Sequence, residues 1–172
     1  MPKYLYSRNK STTSQSKMMI AENRDVPAKR VNIVTIRMVR EATMLYNIRR
    51  VSSPSDAVEL GKKFIQDSDR EQLLLCCLDT KNQPVALNVV SIGSLNSSIV
   101  HPREVFKAAI LSYAASVILF HNHPSGDTSP SSEDISITTR LKECGKLLGI
   151  ELIDHIIIGD GRYCSFKEKG IL

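Results

Sequence analysis

Apolar positions change period several times along the chain, and each change marks an element. Val34, Ile36 and Met38 alternate with Thr35, Arg37 and Val39, the period of a half-buried strand, so a first strand is expected over residues 31–39. Ser53-Pro54-Ser55-Asp56 then supplies a cap, a first-turn proline and an early acid before Ala57, Leu60, Gly61, Phe64 and Ile65 recur at helical spacing, which predicts a helix of about three turns. Leu73–Leu78 is a nearly unbroken apolar run, Asp79-Thr80-Lys81-Asn82-Gln83 reads as a turn, and Val85–Ile92 resumes the run. This is a hairpin whose first strand is central and buried. After a polar loop over Gly93–Ser98, Pro102 opens a helix through Phe106, Ala109 and Ile110, and Ala115–Phe120 follows as a small-to-branched strand. Ser131–Leu148 predicts a second long helix, with Ile135, Thr138, Leu141 and Leu148 inward and Gly149 as its stop. Leu152–Ile158, Gly159-Asp160-Gly161 and Arg162–Phe166 make a terminal hairpin. The sum is an α/β domain over residues 30–172, a mixed β-sheet flanked by two or three helices.

Composition agrees with one soluble globular domain: 172 residues, 42% hydrophobic and 24% charged. The longest apolar stretch, Ala108–Phe120, is broken by Ser112 and Ser116 and falls short of the roughly 18–20 residues that cross a bilayer, so no membrane association is expected. The first 20 residues lack the apolar segment of a secretory signal. The four cysteines show no C-x-x-C spacing, and the adjacent pair Cys76-Cys77 on a strand points to opposite faces. Reduced thiols of a cytoplasmic protein are the expectation. The net charge of +5 is unevenly spread, because residues 1–50 carry +8 and residues 51–172 carry −3. Residues 1–29 read as a basic, disordered tail that either contacts nucleic acid or is simply solvated.

The chemistry concentrates after the Ala115–Phe120 strand, in His121-Asn122-His123-Pro124 and, beyond a Gly126-containing loop, Ser131-Ser132-Glu133-Asp134. Residues i and i+2 of an extended segment project to one side, so His121 and His123 present two imidazoles together while Asn122 faces away. Asp134, in the first turn of the next helix, can return a carboxylate to the same point. Two His and one carboxylate leave one tetrahedral position for water, as catalytic zinc sites do. Ser131-x-x-Asp134 is equally a helix capping pattern, and a lone H-x-H is often a pair of surface histidines. Both accounts stay open on the residues alone. Asp154-His155 offers a further acceptor or donor for an imidazole, or a core hydrogen bond; His101, before Pro102, reads as a helix cap.

His121-x-His123-Pro124, six residues, then Ser131-x-x-Asp134 resembles the JAMM (JAB1/MPN+) metalloprotease motif. The stretches HNHPSGD and PSSED, followed by DHIIIGDGRYCSF, resemble the RadC-like branch, over about Pro54–Phe166. Longer RadC-type members carry an N-terminal helix-hairpin-helix DNA-binding module that is not read in this sequence, so the likeness is to the short form. The resemblance implies a cytidine-deaminase-like JAB/MPN architecture and a zinc-dependent metallopeptidase acting on a peptide or isopeptide amide. It implies Zn2+ held by His121, His123 and Asp134, with Ser131 supporting the polarised water or the developing oxyanion. It further implies a glutamate at the start of a core strand as general base and later proton donor. Glu71, just before Leu73–Leu78, fits that position; Glu104 and Glu133 are rivals, each explained as well by a helix N-terminus. The partner implied is a peptide or protein substrate. The alternative is a nucleic-acid-associated protein of DNA repair or mobile-element biology, acting through the basic N-terminal region.

Overall fold

The computed structural model describes residues 32–93 and 100–172; the expected tail over 1–29 and most of the loop over 93–98 lie outside them. The chain divides into two units, residues 1–36 and 37–172. In the first, residues 32–36 hold no regular structure. The second carries, in order, α1 (Pro54–Ile65), β1 (Gln72–Leu78), β2 (Pro84–Ile92), α2 (Pro102–Leu111), β3 (Ser116–Asn122), α3 (Ser132–Leu148), β4 (Glu151–Ile158) and β5 (Tyr163–Ser165). No helix among the described residues is long and apolar enough to cross a membrane.

The strands form one sheet in the order β2-β1-β3-β4-β5. Only β3 and β4 are parallel, joined by the α3 crossover; the other pairs are antiparallel. This is the mixed α/β architecture that the pattern of elements predicts. Apolar side chains leave both faces of β1 and β3, as befits interior strands. Leu73, Leu75, Cys77, Val117 and Leu119 pack with Val105, Phe106 and Ala109 of α2 and Ile137 and Leu141 of α3. The opposite face sets Leu74, Cys76, Ile118 and Phe120 against Ala57, Val58 and Leu60 of α1. Cys76 and Cys77 thus belong to different cores, and all four cysteines are free thiols.

The helix ends form where local chemistry places them. Ser53 and Asp56 make a reciprocal capping box on α1, and α3 stops at Gly149, whose φ of 70° is left-handed. Which face each helix buries differs from expectation at four positions. Phe64, Ile110, Ile135 and Leu148 are exposed, and Val58, Val105, Ile137 and Gly145 are buried in their stead.

The strand expected over 31–39 does not form. Residues 32–46 contain neither helix nor strand, and Ile33, Val34, Ile36 and Val39 are all exposed, so neither parity is buried. Alternation supplies a strand with an apolar face, but its N–H and C=O groups need a neighbouring edge, and no ladder partner meets this segment among the described residues. Ordered packing begins near Tyr46, whose hydroxyl donates to the Asp56 carbonyl at 2.7 Å and whose ring joins the α1 core.

Candidate metal centre

The site lies at the carboxyl end of β3. His121 and Asn122 are the last residues of that strand, and the ladder runs one step further, with His123 N–H donating to the Ile158 carbonyl at 2.9 Å. Parity therefore places His121 and His123 on the face covered by α3, with Asn122 on the other. The loop then turns at Gly126, whose φ is 79° and whose N–H donates to the His123 carbonyl at 2.9 Å. It delivers the chain to Ser131, the N-cap of α3. Gly159 makes the turn possible, because a Cβ there would lie 2.6 Å from Thr128 Cγ2 and closer still to the Gly126 carbonyl oxygen.

Three groups meet at one point. His121 Nε2 and His123 Nε2 are 2.8 Å apart, and the Asp134 carboxylate lies 3.4 Å from the first through Oδ1 and 3.7 Å from the second through Oδ2. The ligand atoms of this trio all fall within 4.8 Å of one another. His121 and Asp134 are buried, while 16% of the His123 side chain is open to solvent, so the cluster has one accessible side.

The donor set suits a divalent cation. Burial pushes the His121 imidazole down to about 4, with Asp134 opposing and His123 reinforcing the shift. The ring is thus neutral at physiological pH, the form that binds metal. Two imidazoles and one carboxylate whose ligand atoms lie within 4.8 Å of one another form a donor set that fits a shared cation.

Ser131 and Asp134 settle how capping relates to the site, since the same pair does both. Asp134 Oδ2 accepts from Ser131 N–H at 2.8 Å and from Ser131 Oγ at 2.7 Å, and Asp134 N–H donates back to Ser131 Oγ at 3.1 Å. The capping box holds the carboxylate that faces the histidines.

Glu71 immediately precedes β1. The β1–β3 register pairs Leu73 with His121 and Gln72 N–H with the Asn122 side chain. Carried back two residues, it sets Glu71 level with His123 and on the same face. Glu71 is half-buried, and its carbonyl accepts from Gly93 N–H at 2.8 Å. Glu104 pairs with Lys107 and Arg103, and Glu133 accepts from Ser132 Oγ. His101 caps α2, its Nδ1 accepting from Arg103 N–H at 3.4 Å.

Two further residues stand at the site: Asn122, of which the sequence says only that it faces away from the histidines, and His155, which the Asp154-His155 pair offers as a partner for an imidazole or for a core hydrogen bond. Asn122 braces the segment that carries Glu71: its Oδ1 accepts from Gln72 N–H at 2.8 Å, and its Nδ2 donates to the carbonyls of Arg70 at 3.0 Å and Ser68 at 3.3 Å. His155, inside β4, places Nε2 2.8 Å from His121 Nδ1 and Nδ1 2.6 Å from Thr138 Oγ1. Burial, then the positive charge His121 and His123 would carry, holds the His155 imidazole well below its ordinary value. Asp154 faces the other way and accepts from Ser165 Oγ and Lys167 N–H, fixing the chain after β5. The parity of Asp154-His155 was the only sequence signal available for this division.

The profile of the RadC-like JAB domain matches residues 51–171. UPF0758 proteins of Methanosarcina barkeri and Clostridium acetobutylicum are 56% and 55% identical to this chain, over 124 and 123 residues. Each alignment covers 72% of this chain and 54% of the relative, so the chain spans about half the length of the curated relatives it matches. A UPF0758 protein of Methanosarcina mazei is 57% identical over the same share. These names state no activity.

Proposed function

Because the chain belongs to the RadC-like JAB domain family, a family that includes metalloproteases, we propose that it is a zinc-dependent hydrolase of peptide or isopeptide amides. The observation that carries this reading is the convergence of His121 Nε2, His123 Nε2 and the Asp134 carboxylate within 4.8 Å at a strand end, with one side open to solvent. These three side chains would hold the cation. Zinc bound there would supply Lewis acidity that brings the pKa of a bound water down to about 7.

The remaining work falls to the protein. Glu71 takes the proton of the attacking water on its carboxylate and later returns it to the departing amine nitrogen, so that the amine leaves neutral. Its place before β1, level with His123, supports that role. Ser131 keeps the Asp134 carboxylate in position and offers its hydroxyl to the developing oxyanion when the carboxylate is turned to the cation. Asn122 holds the backbone on both sides of Glu71.

Metal analysis and a peptide-library assay test the reading together. Purified protein should carry stoichiometric zinc, Asp134→Asn should lose it, and Glu71→Gln should keep zinc while losing amide hydrolysis. Absence of zinc uptake, or full hydrolysis by Glu71→Gln, overturns the assignment.

A further inference from the structure

A single line of polar contacts runs through the interior behind the metal-binding trio, and it joins two of its members by a second route. It begins at the Asp127 carbonyl, which lies against His123 Nδ1. It passes from His123 Nε2 to His121 Nε2 at 2.8 Å, from His121 Nδ1 to His155 Nε2 at 2.8 Å, and from His155 Nδ1 to Thr138 Oγ1 at 2.6 Å. It ends on the Asp134 carbonyl, 2.6 Å from Thr138 Oγ1. Both ends are carbonyl oxygens, which only accept.

Between them lie five contacts, and the four neutral side chains bring four hydrogens. One contact must lack a proton. With His123 donating to the Asp127 carbonyl and Thr138 donating to the Asp134 carbonyl, His155 Nδ1 donates to Thr138 Oγ1 and His121 Nδ1 donates to His155 Nε2. The gap then falls between the two Nε2 atoms, beside the Asp134 carboxylate, where a bound cation would stand in for the missing proton. Every other distribution moves the gap to one of the four remaining contacts, where two lone pairs oppose each other, and puts a hydrogen on the Nε2 of His121 or His123, which should bind metal.

We propose that His155 and Thr138 are positioning residues that hold His121 as the Nδ1–H tautomer, with Nε2 bare, and tie this strand ligand to the backbone of the helix ligand Asp134. The inference rests on the metal-site reading above. Its physical basis is the general need of a metal-bound imidazole for an acceptor at its other nitrogen, whose loss typically lowers metal affinity by about 10- to 100-fold. The acceptor here is a second, fully buried imidazole, itself oriented by a hydroxyl that the helix supplies one turn after Asp134.

Thr138→Val keeps the side chain's shape and removes the hydroxyl; Thr138→Ser restores it. Zinc affinity is measured by chelator competition for the full chain and both variants, alongside the melting temperature of each metal-free form. The His121 tautomer in the zinc-loaded protein is read from long-range 1H–15N couplings. The expected result is a loss of about 10-fold or more in zinc affinity for Thr138→Val, recovery in Thr138→Ser, and a hydrogen on His121 Nδ1. His155→Gln repeats the test should Thr138→Val fail to fold. Equal zinc affinity in wild type and Thr138→Val, or a hydrogen on His121 Nε2, overturns the relay and leaves the metal site standing. Failure of the wild type to take up zinc sinks the site, and the relay with it.

Discussion

Gly159→Ala tests whether the loop after His123 is held by contact with the β4–β5 turn. Gly159 does not adopt a left-handed φ, so alanine is acceptable to its backbone. The obstacle is space. The new methyl would stand 2.6 Å from Thr128 Cγ2 and nearer still to the Gly126 carbonyl oxygen, far inside ordinary carbon contact distances of roughly 3.5–4.0 Å. Backbone must move, which costs about 1–3 kcal/mol in a packed site, or about 2–12 °C in melting temperature for a chain of this size. The segment that gives way includes Asp127, whose carbonyl orients His123 Nδ1, so zinc affinity should fall about 10-fold as well. Gly161→Ala is the control. That residue sits at φ 66° with nothing near its missing Cβ, so alanine there costs roughly 1–2 kcal/mol of backbone strain without touching the loop. Thermal melting and zinc titration of both variants decide the matter. A Gly159→Ala protein that melts with wild type and binds zinc equally well refutes the packing argument, as does an equal loss of zinc affinity in Gly161→Ala.

Three other outcomes follow from the same contacts. Asn122→Ala removes one acceptor and two donated bonds around Glu71 and should cost roughly 2–4 kcal/mol, seen as a lower denaturation midpoint with faster amide exchange at Gln72; an unchanged midpoint contradicts the brace. In metal-free protein, His121 is held down to about 4 from an ordinary 6.5, chiefly by burial. Below pH 6.5 the unfolded chain therefore takes a proton that the folded chain refuses, so stability falls as pH drops and the loss is complete near pH 4, on the order of 3 kcal/mol. His155 shifts in the same direction for the same reason; a flat denaturation midpoint across that window counts against both burials. Free zinc at about 100 times its dissociation constant should add about 2.7 kcal/mol, a rise of roughly 5–11 °C, reversed by a chelator and absent in Asp134→Asn. A rise that persists in Asp134→Asn would place the metal elsewhere.

The legible parts of the sequence were those governed by near neighbours. Ser53-x-x-Asp56 and Ser131-x-x-Asp134 cap helices because the bonded atoms lie three residues apart, and Gly149 ends α3 through its own φ. The apolar runs at Leu73–Leu78 and Ala115–Phe120 are interior strands because both of their faces are apolar. Helix faces were read less well where polar residues turn inward. The buried stripe of α3 includes Asp134, which carries no hydrophobic signal, so Ile135 took a place that belongs to Ile137, while Thr138 and Leu141 lie on the stripe as expected. The strand expected over 31–39 failed for a different reason, since alternation describes one segment and a ladder needs two.

Sequence by itself determined that His121 and His123 share a face and that Asp134 opens the following helix, because strand parity and helix phase are properties of consecutive residues. It did not determine what stands behind them. His155 reaches His121 across 34 positions, and Asn122 reaches Gln72 across 50. Both contacts exist because β3 runs antiparallel to β1 and parallel to β4 in one register, and that register is set by packing α1 on one face of the sheet and α2 with α3 on the other.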